Sequence, residues 1–287
     1  MVKAVSNIAA SARSRLLNVV RRIEQPFDVV LTRYALERIL YRLSVSPHRD
    51  RFVLKGGLLV TLWIDDTMRV TRDVDFLGFG APDVNKLTAV FAEILAIPGD
   101  DGLEFDIAHL TASVIREETE YGGIRLKTNA VLDKARIPIT IDIGFGDAIG
   151  SKPIELDYPS LLDMQPSSIR AYPPATVIAE KFQAIVALGL INGRMKDYYD
   201  LWALPQSLHI SEEDLDKAIA ATFERRATAI PAEAPPGLSE AMYTSEDANR
   251  RWKAYAASIE FDSPPFETIV TRIWKTVGPS CERLIAK

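Results

Sequence analysis

Cysteine is almost absent: of 287 residues only Cys281 carries a thiol. One cysteine cannot form an intramolecular disulfide or build a cysteine zinc cluster, and a reducing cytoplasm suits such a chain. Long apolar runs are missing too. The longest, residues 52–64, is broken by Lys55 and by Gly56-Gly57, well short of the roughly 20 residues that span a bilayer, so no membrane association is expected. The opening stretch MVKAVSNIAASARSRLL has no apolar core ending at a small-residue cleavage site; no secretory signal is expected, and the whole chain is expected to be the mature protein. Internal repeats and low-complexity tracts are also lacking. With 47% hydrophobic and 25% charged residues, 15 Gly and 17 Pro, the composition is that of a globular chain with room for one large or two small domains.

An overall positive charge is likewise absent. The net charge of −5 argues against indiscriminate binding of polyanions. The average hides an asymmetry: residues 1–72 hold thirteen Lys and Arg against six Asp and Glu, a net +7, which leaves −12 for the other 215. Arg21, Arg22, Arg33, Arg38 and Arg42 recur through a helical pattern and continue in Arg49, Arg51, Lys55, Arg69 and Arg72, as a phosphate-facing surface requires. A solvated helix face gives the same pattern for the helical arginines.

Apolar spacing supplies the elements. Val30, Tyr34, Leu36, Ile39, Leu40 and Leu43 share one face of a helix over residues 29–43, and that face is core. Ser46-Pro47 stops it. After the short apolar run 52–54 and the glycine pair, residues 58–64 read as a helix, residues 71–77 as a strand, and residues 84–95 as another helix. Strands are expected over 103–110, 123–131 and 137–143. Beyond Pro153 helical spacing takes over, at 174–188, 194–204, 212–226, 245–258 and 265–276, with a boundary near 163–168 and a loop at 230–238.

The most informative feature is Gly56-Gly57 followed by Asp73-Val74-Asp75. Residues two apart on a strand point to the same side, so two carboxylates project together. Their repulsion is relieved by a shared divalent cation, and hard oxygen ligands favour Mg²⁺ or Mn²⁺ over zinc. The glycine turn can cradle triphosphate oxygens on its N–H groups. A third acid completes a site for in-line displacement at phosphorus. Asp142, in the apolar strand Ile139-Thr140-Ile141-Asp142-Ile143, is the candidate, since a lone charge there is costly to bury without a partner; Asp106 is the rival. In the helical half, Lys181 lies in an apolar helix, and Lys196, Asp197 and Asp200 follow in Arg194-Met195-Lys196-Asp197-Tyr198-Tyr199-Asp200. Lys181 can neutralise phosphate charge, and Asp200 can orient that lysine or accept a proton from an attacking hydroxyl; exposed helix ion pairs explain the same spacing.

Four blocks, Leu54-Lys55-Gly56-Gly57, Arg69 to Phe76, Ile141 to Asp147, and Ala179-Glu180-Lys181-Phe182 with Arg194 to Leu201, resemble the pattern of the AbiEii/AbiGii-type nucleotidyltransferase toxins, within the DNA polymerase β-like nucleotidyltransferase superfamily. The likeness runs from about residue 30 to residue 205. It implies an α/β (α+β) fold: a polymerase β-like domain with a mixed sheet and N-terminal helices over residues 1–165, then a helical domain over 166–287 that completes the active-site cleft. It further implies that Asp73, Asp75 and Asp142 hold Mg²⁺ or Mn²⁺ and, with Lys181 and Asp200, form the catalytic set. Lys55, Gly56, Gly57, Arg72, Lys181, Lys196 and Asp197 would bind the nucleotide. Which of Asp197 and Asp200 is essential stays open, and Gly57 stands where many superfamily members have Ser, leaving the contact to backbone.

The resemblance implies a cytoplasmic enzyme that transfers NMP from an NTP to an RNA 3′ end, the acceptor end of tRNA foremost, and so inhibits translation in a toxin–antitoxin or phage-abortive system with a cognate antitoxin encoded nearby. Two alternatives stand beside it: transfer to a protein or small-molecule hydroxyl, and a nucleotide- or RNA-binding module without turnover. Thr71, Ser44 and Ser46 are hydroxyls close to the pocket residues and open to phosphorylation.

Overall fold

The computed structural model of the chain describes residues 7–66, 68–115, 123–146, 150 and 152–286. Helices α1 (Ile8–Ile23) and α2 (Phe27–Ser44) lead into β1 (Phe52–Lys55), α3 (Gly57–Ile64), β2 (Val74–Gly78) and α4 (Val84–Ala96). Six strands follow, β3 (Leu103–Phe105), β4 (Thr111–Ile115), β5 (Gly123–Leu132), β6 (Ala135–Phe145), β7 (Ile154–Tyr158) and β8 (Ser167–Ala171). The rest is helical: α5 (Pro174–Leu188), α6 (Met195–Ser207), α7 (Glu212–Arg225), α8 (Glu240–Thr244), α9 (Glu246–Ser258) and α10 (Phe266–Ile285). Packing groups the chain into two compact units, Met1–Leu59 with Val70–Gly146 and Ile154–Ala171, and Val60–Arg69 with Asp147–Pro153 and Tyr172–Lys287.

In the first unit eight strands form one mixed sheet, in the order β3-β5-β6-β2-β1-β8-β7, with β4 also paired to β5. The pairs β2/β6 and β1/β8 are parallel and the others antiparallel. Alternation decides which side is core. Ile137, Ile139, Ile141 and Ile143 of β6 are buried beside Leu126 and Ile124 of β5, whereas Thr140, Asp142 and Gly144 between them are half-buried. Phe52, Phe76 and the α4 residue Phe91 meet as a ring cluster on the apolar side, each pair adding about 0.5–1.5 kcal/mol beyond its buried area. α4 starts where the Asp83 side chain accepts the Lys86 N–H at 3.0 Å, a cap that stabilises a helix by about 1 kcal/mol. β5 and β6 form a hairpin whose last pair, Leu132 and Ala135, leaves only Asp133 and Lys134 as the loop.

The second unit is built from helices around Phe182, Phe223 and Trp274 and, further along, Tyr198, Trp252 and Phe266. α7 begins at Ser211, whose hydroxyl accepts the Asp214 N–H, with Glu212, Glu213 and Asp214 in its first turn, where negative charge favours a helix. Pro174–Ile191 reaches the length and hydropathy of a membrane span, and half of it is buried; α5 packs against α6 and α7 and buries Phe182 and Ile185 completely, as a core helix does.

Several expectations change. The strand expected over 71–77 begins only at Val74, so Asp73 lies in the loop before it. Residues 103–110 split into β3 and a 3-10 turn, and β4, β7 and β8 are strands that the spacing does not reveal. β7 and β8 lie beyond Pro153, where only helices were expected, and they extend the sheet. The basic surface shrinks most. Arg38 and Arg42, each 2% exposed, grip the buried carboxylate of Asp101 at 3.0 and 2.6 Å, and Arg69 is buried against Asp200. A buried charge needs its counter-charge, so these three arginines hold the fold and do not face phosphates. Ser46 is buried and bonds the Leu43 carbonyl, and Ser44 bonds that of Tyr41.

Candidate active site

Strand register builds the site. β1 pairs Lys55 with Asp75, β2 pairs Asp75 with Asp142, and β6 pairs Asp142 with Arg125. One row across four strands therefore reads cation, anion, anion, cation, on the side of the sheet opposite the ring cluster. Asp73 joins from its loop, where the Thr71 hydroxyl donates to its Oδ1 at 3.0 Å. Each of Asp73, Asp75 and Asp142 offers an oxygen within 4.8 Å of the other two, and among the described residues no other three acidic, His or Cys side chains come together in this way. Asp106 is elsewhere, capping the 3-10 turn after β3 and bonded to His109 at 2.8 Å.

The turn between β1 and α3 fits around Asp75. Gly56 has φ +71°, and a β-carbon on it would lie 2.0 Å from Asp75 Oδ2. Only glycine tolerates both that backbone conformation and that approach. The Gly57 N–H bonds the Asp75 carboxylate. Burial, and next the charge of Asp73, push the Asp75 carboxyl up to about 6, against the pull of Lys55 and the Gly57 N–H. This is a carboxylate short of positive charge.

Arg125 is the participant that the sequence reading missed. Its Nε and Nη2 donate to the two oxygens of Asp142 at 2.7 and 2.6 Å, and this bidentate contact, with the charges of Asp142, Asp73 and Asp75, raises the guanidinium further above its ordinary value. Arg72 is exposed and pairs with exposed Asp28 at 3.1 Å.

In the second unit the other group of expected residues also assembles. Lys181 bonds Asp197 at 2.6 Å and Asp200 at 2.8 Å. Asp200, wholly buried, also accepts from Nε and Nη2 of Arg69, each at 2.5 Å. Asp197 reaches outward to Arg194 at 2.7 Å. The pairs of Lys181 with both aspartates and of Arg69 with Asp200 are buried, and Arg194 to Asp197 is a helix salt bridge of the kind spacing also allows, with its arginine exposed. Burial works against the charge on Asp200, yet Lys181 and Arg69 outweigh it and hold the carboxyl below the ordinary range; burial likewise opposes the Lys181 charge, and Asp200 and Asp197 outweigh it. A carboxylate so stabilised, with both oxygens bonded, is a poor proton acceptor, which leaves orientation of Lys181 as what Asp200 can do. Lys196, next to Asp197, is half-buried.

A family model described as nucleotidyl transferase AbiEii toxin, type IV TA system, matches residues 38–272. Among solved structures the chain is similar to the crystal structure of JHP933 from Helicobacter pylori, at 15% identity and a TM-score of 0.45, over 90% of this chain and 97% of that one. A second H. pylori crystal structure, described as a candidate nucleotidyltransferase, is similar at 15% identity and a TM-score of 0.45, over 89% of this chain and 98% of the other. No curated protein matches the chain.

Proposed function

The chain belongs to the AbiEii nucleotidyl transferase toxin family, and we propose that it moves a nucleoside monophosphate from an NTP to the 3′-hydroxyl of an RNA, the acceptor end of tRNA foremost. One observation carries the reading: Asp73 just before β2, Asp75 within it and Asp142 of the neighbouring β6 bring their oxygens within 4.8 Å of one another. Three hard oxygen donors, one of them pushed up by burial and then by the charge of Asp73, beside a turn that only glycine can form, suit Mg²⁺ or Mn²⁺. When bound, such a cation withdraws charge from the phosphate oxygens and favours displacement at phosphorus.

The side chains do the rest. Asp73, Asp75 and Asp142 would hold that cation, and Gly56 lets the chain pass close to Asp75. The acceptor hydroxyl gives its proton to solvent water as its oxygen forms a bond to the α-phosphorus, the bond from that phosphorus to the β-phosphate bridging oxygen breaks, and pyrophosphate leaves with the electron pair. The roles of Lys55, Gly57, Arg72, Lys181, Lys196, Asp197 and Asp200 rest on the family likeness. The charge argument for RNA now rests on fewer groups, Arg21, Arg22, Arg51 and Arg72, which remain exposed. Family membership supports a cytoplasmic toxin with a cognate antitoxin.

Incubating the purified chain and its Asp73→Ala variant with each α-labelled NTP, Mg²⁺ or Mn²⁺, and total tRNA tests the reading. Label should enter tRNA with the wild type and not with the variant. Equal incorporation by both overturns the site; label in protein or small molecules alone transfers the reaction to another acceptor; nucleotide binding without pyrophosphate release leaves a binding module.

A further inference from the structure

Arg125 occupies both oxygens of the third carboxylate. This is the contact that any cation reaching Asp142 has to share or displace. The guanidinium cannot lose its proton to make way, and a divalent ion arriving beside it repels it, so it must find another anion. It is free to do so: its side chain is 39% exposed, against 15% for Asp142, which puts the arginine at the rim of the row and the acid inside it. Its planar fork, now matched to a carboxylate, matches a phosphate equally well.

We propose that Arg125 is a positioning residue that clasps Asp142 until a divalent cation and a phosphate-bearing substrate are both present, coupling the binding of one to that of the other. The proposal rests on the nucleotidyl-transfer reading of the site. Arg125 neutralises the acidic row while the substrate is away, gives up Asp142 when the cation takes it, and then donates to a phosphate oxygen, of the NTP or of the acceptor strand.

The test is Mn²⁺ binding to the metal-free full-length chain, without nucleotide, followed by electron paramagnetic resonance in wild type, Arg125→Ala, Arg125→Gln and Arg125→Lys. Melting curves establish that each variant is folded, and Arg125→Gln serves if the alanine variant is not. Removing the competitor should tighten Mn²⁺ binding about twofold to fivefold in the alanine and glutamine variants, the size of one partly exposed ion pair, while lysine stays near wild type. Transfer kinetics should then show KM raised more than kcat is lowered. A raised KM for NTP assigns the released fork to the nucleotide, and a raised KM for RNA assigns it to the acceptor. Mn²⁺ affinity unchanged or weaker in the folded variants overturns the proposal and leaves Arg125 as a strut between β5 and β6. If the wild type transfers nucleotide to no acceptor yet the Mn²⁺ order holds, the clasp stands and the assigned reaction falls.

Discussion

The backbone of Gly56 passes so close to Asp75 that a β-carbon there would meet the carboxylate at 2.0 Å. Gly56→Ala must therefore displace the acid or the turn, besides straining a left-handed backbone by about 1–2 kcal/mol. The variant should fold with a lowered melting temperature and lose nucleotide transfer by about 100-fold, as an ångström of misplacement can cost that much. Transfer within a few-fold of wild type would show that the close approach has no catalytic consequence.

Asp75→Asn removes one of the crowded charges. Because burial and Asp73 already disfavour the ionised Asp75 carboxyl, the metal-free variant should melt at or above the wild-type temperature. Excess Mn²⁺ should then raise the melting temperature of the wild type, by preferential binding to the folded state, and leave that of the variant where it was. Equal Mn²⁺ stabilisation of both proteins would remove Asp75 from the ligand set.

The two aspartates of α6 should separate in urea unfolding. Asp200 neutralises two cations, Lys181 and Arg69, at full burial, so Asp200→Asn leaves uncompensated charge inside and should cost about 3–5 kcal/mol. Asp197 shares Lys181 and has the exposed Arg194 as its other partner; Asp197→Asn should cost about 1–3 kcal/mol. The reverse order would contradict the assignment of Asp200 as the anchor of the group.

Glu37, buried in α2, accepts the Ser160 hydroxyl at 2.9 Å and the Leu161 N–H at 3.0 Å, yet burial, the largest influence, pushes its carboxyl up to about 7 from 4.5. The folded state thus binds this proton more tightly than the unfolded state. The stability it contributes is full below about pH 4.5 and is lost as the pH rises through about 7. Glu37→Gln should gain on the wild type by on the order of 3 kcal/mol between pH 4.5 and pH 7.5; the same difference at both pH values would rule this out.

What the sequence displays of the site follows from locality. Asp142 stands out because its neighbours are apolar and alternate, and Gly56 because two adjacent glycines mark a turn. Strand periodicity points to the pair Asp73 and Asp75 although only Asp75 is in the strand; the Thr71 hydroxyl, not the pleat, fixes Asp73. Arg125 was invisible because its partner is seventeen residues away and an arginine alternating with Ile124 and Leu126 looks like any solvent-facing strand residue. Arg38 and Arg42 misled for a related reason: helical spacing aligns them, but only Asp101, 59 residues beyond Arg42, decides that they point inward. β7 and β8 carry polar residues along short stretches, and their pairing with each other and with β1, rather than their own pattern, makes them strands.

The loop of two residues, Asp133 and Lys134, that joins β5 to β6 acts as a ruler for chemistry at the opposite end of the ribbon. Arg125 and Asp142 face each other seven positions from that bend, about 23 Å along an extended chain. One extra residue in the bend shifts the count on a single side and turns every side chain of that strand over, delivering a leucine or an isoleucine where a guanidinium should be. Insertions there are therefore expected to impair transfer as removal of Arg125 does, through KM first, while sparing every residue of the acidic trio, and the length of a remote hairpin joins the list of features that selection on this enzyme has to guard.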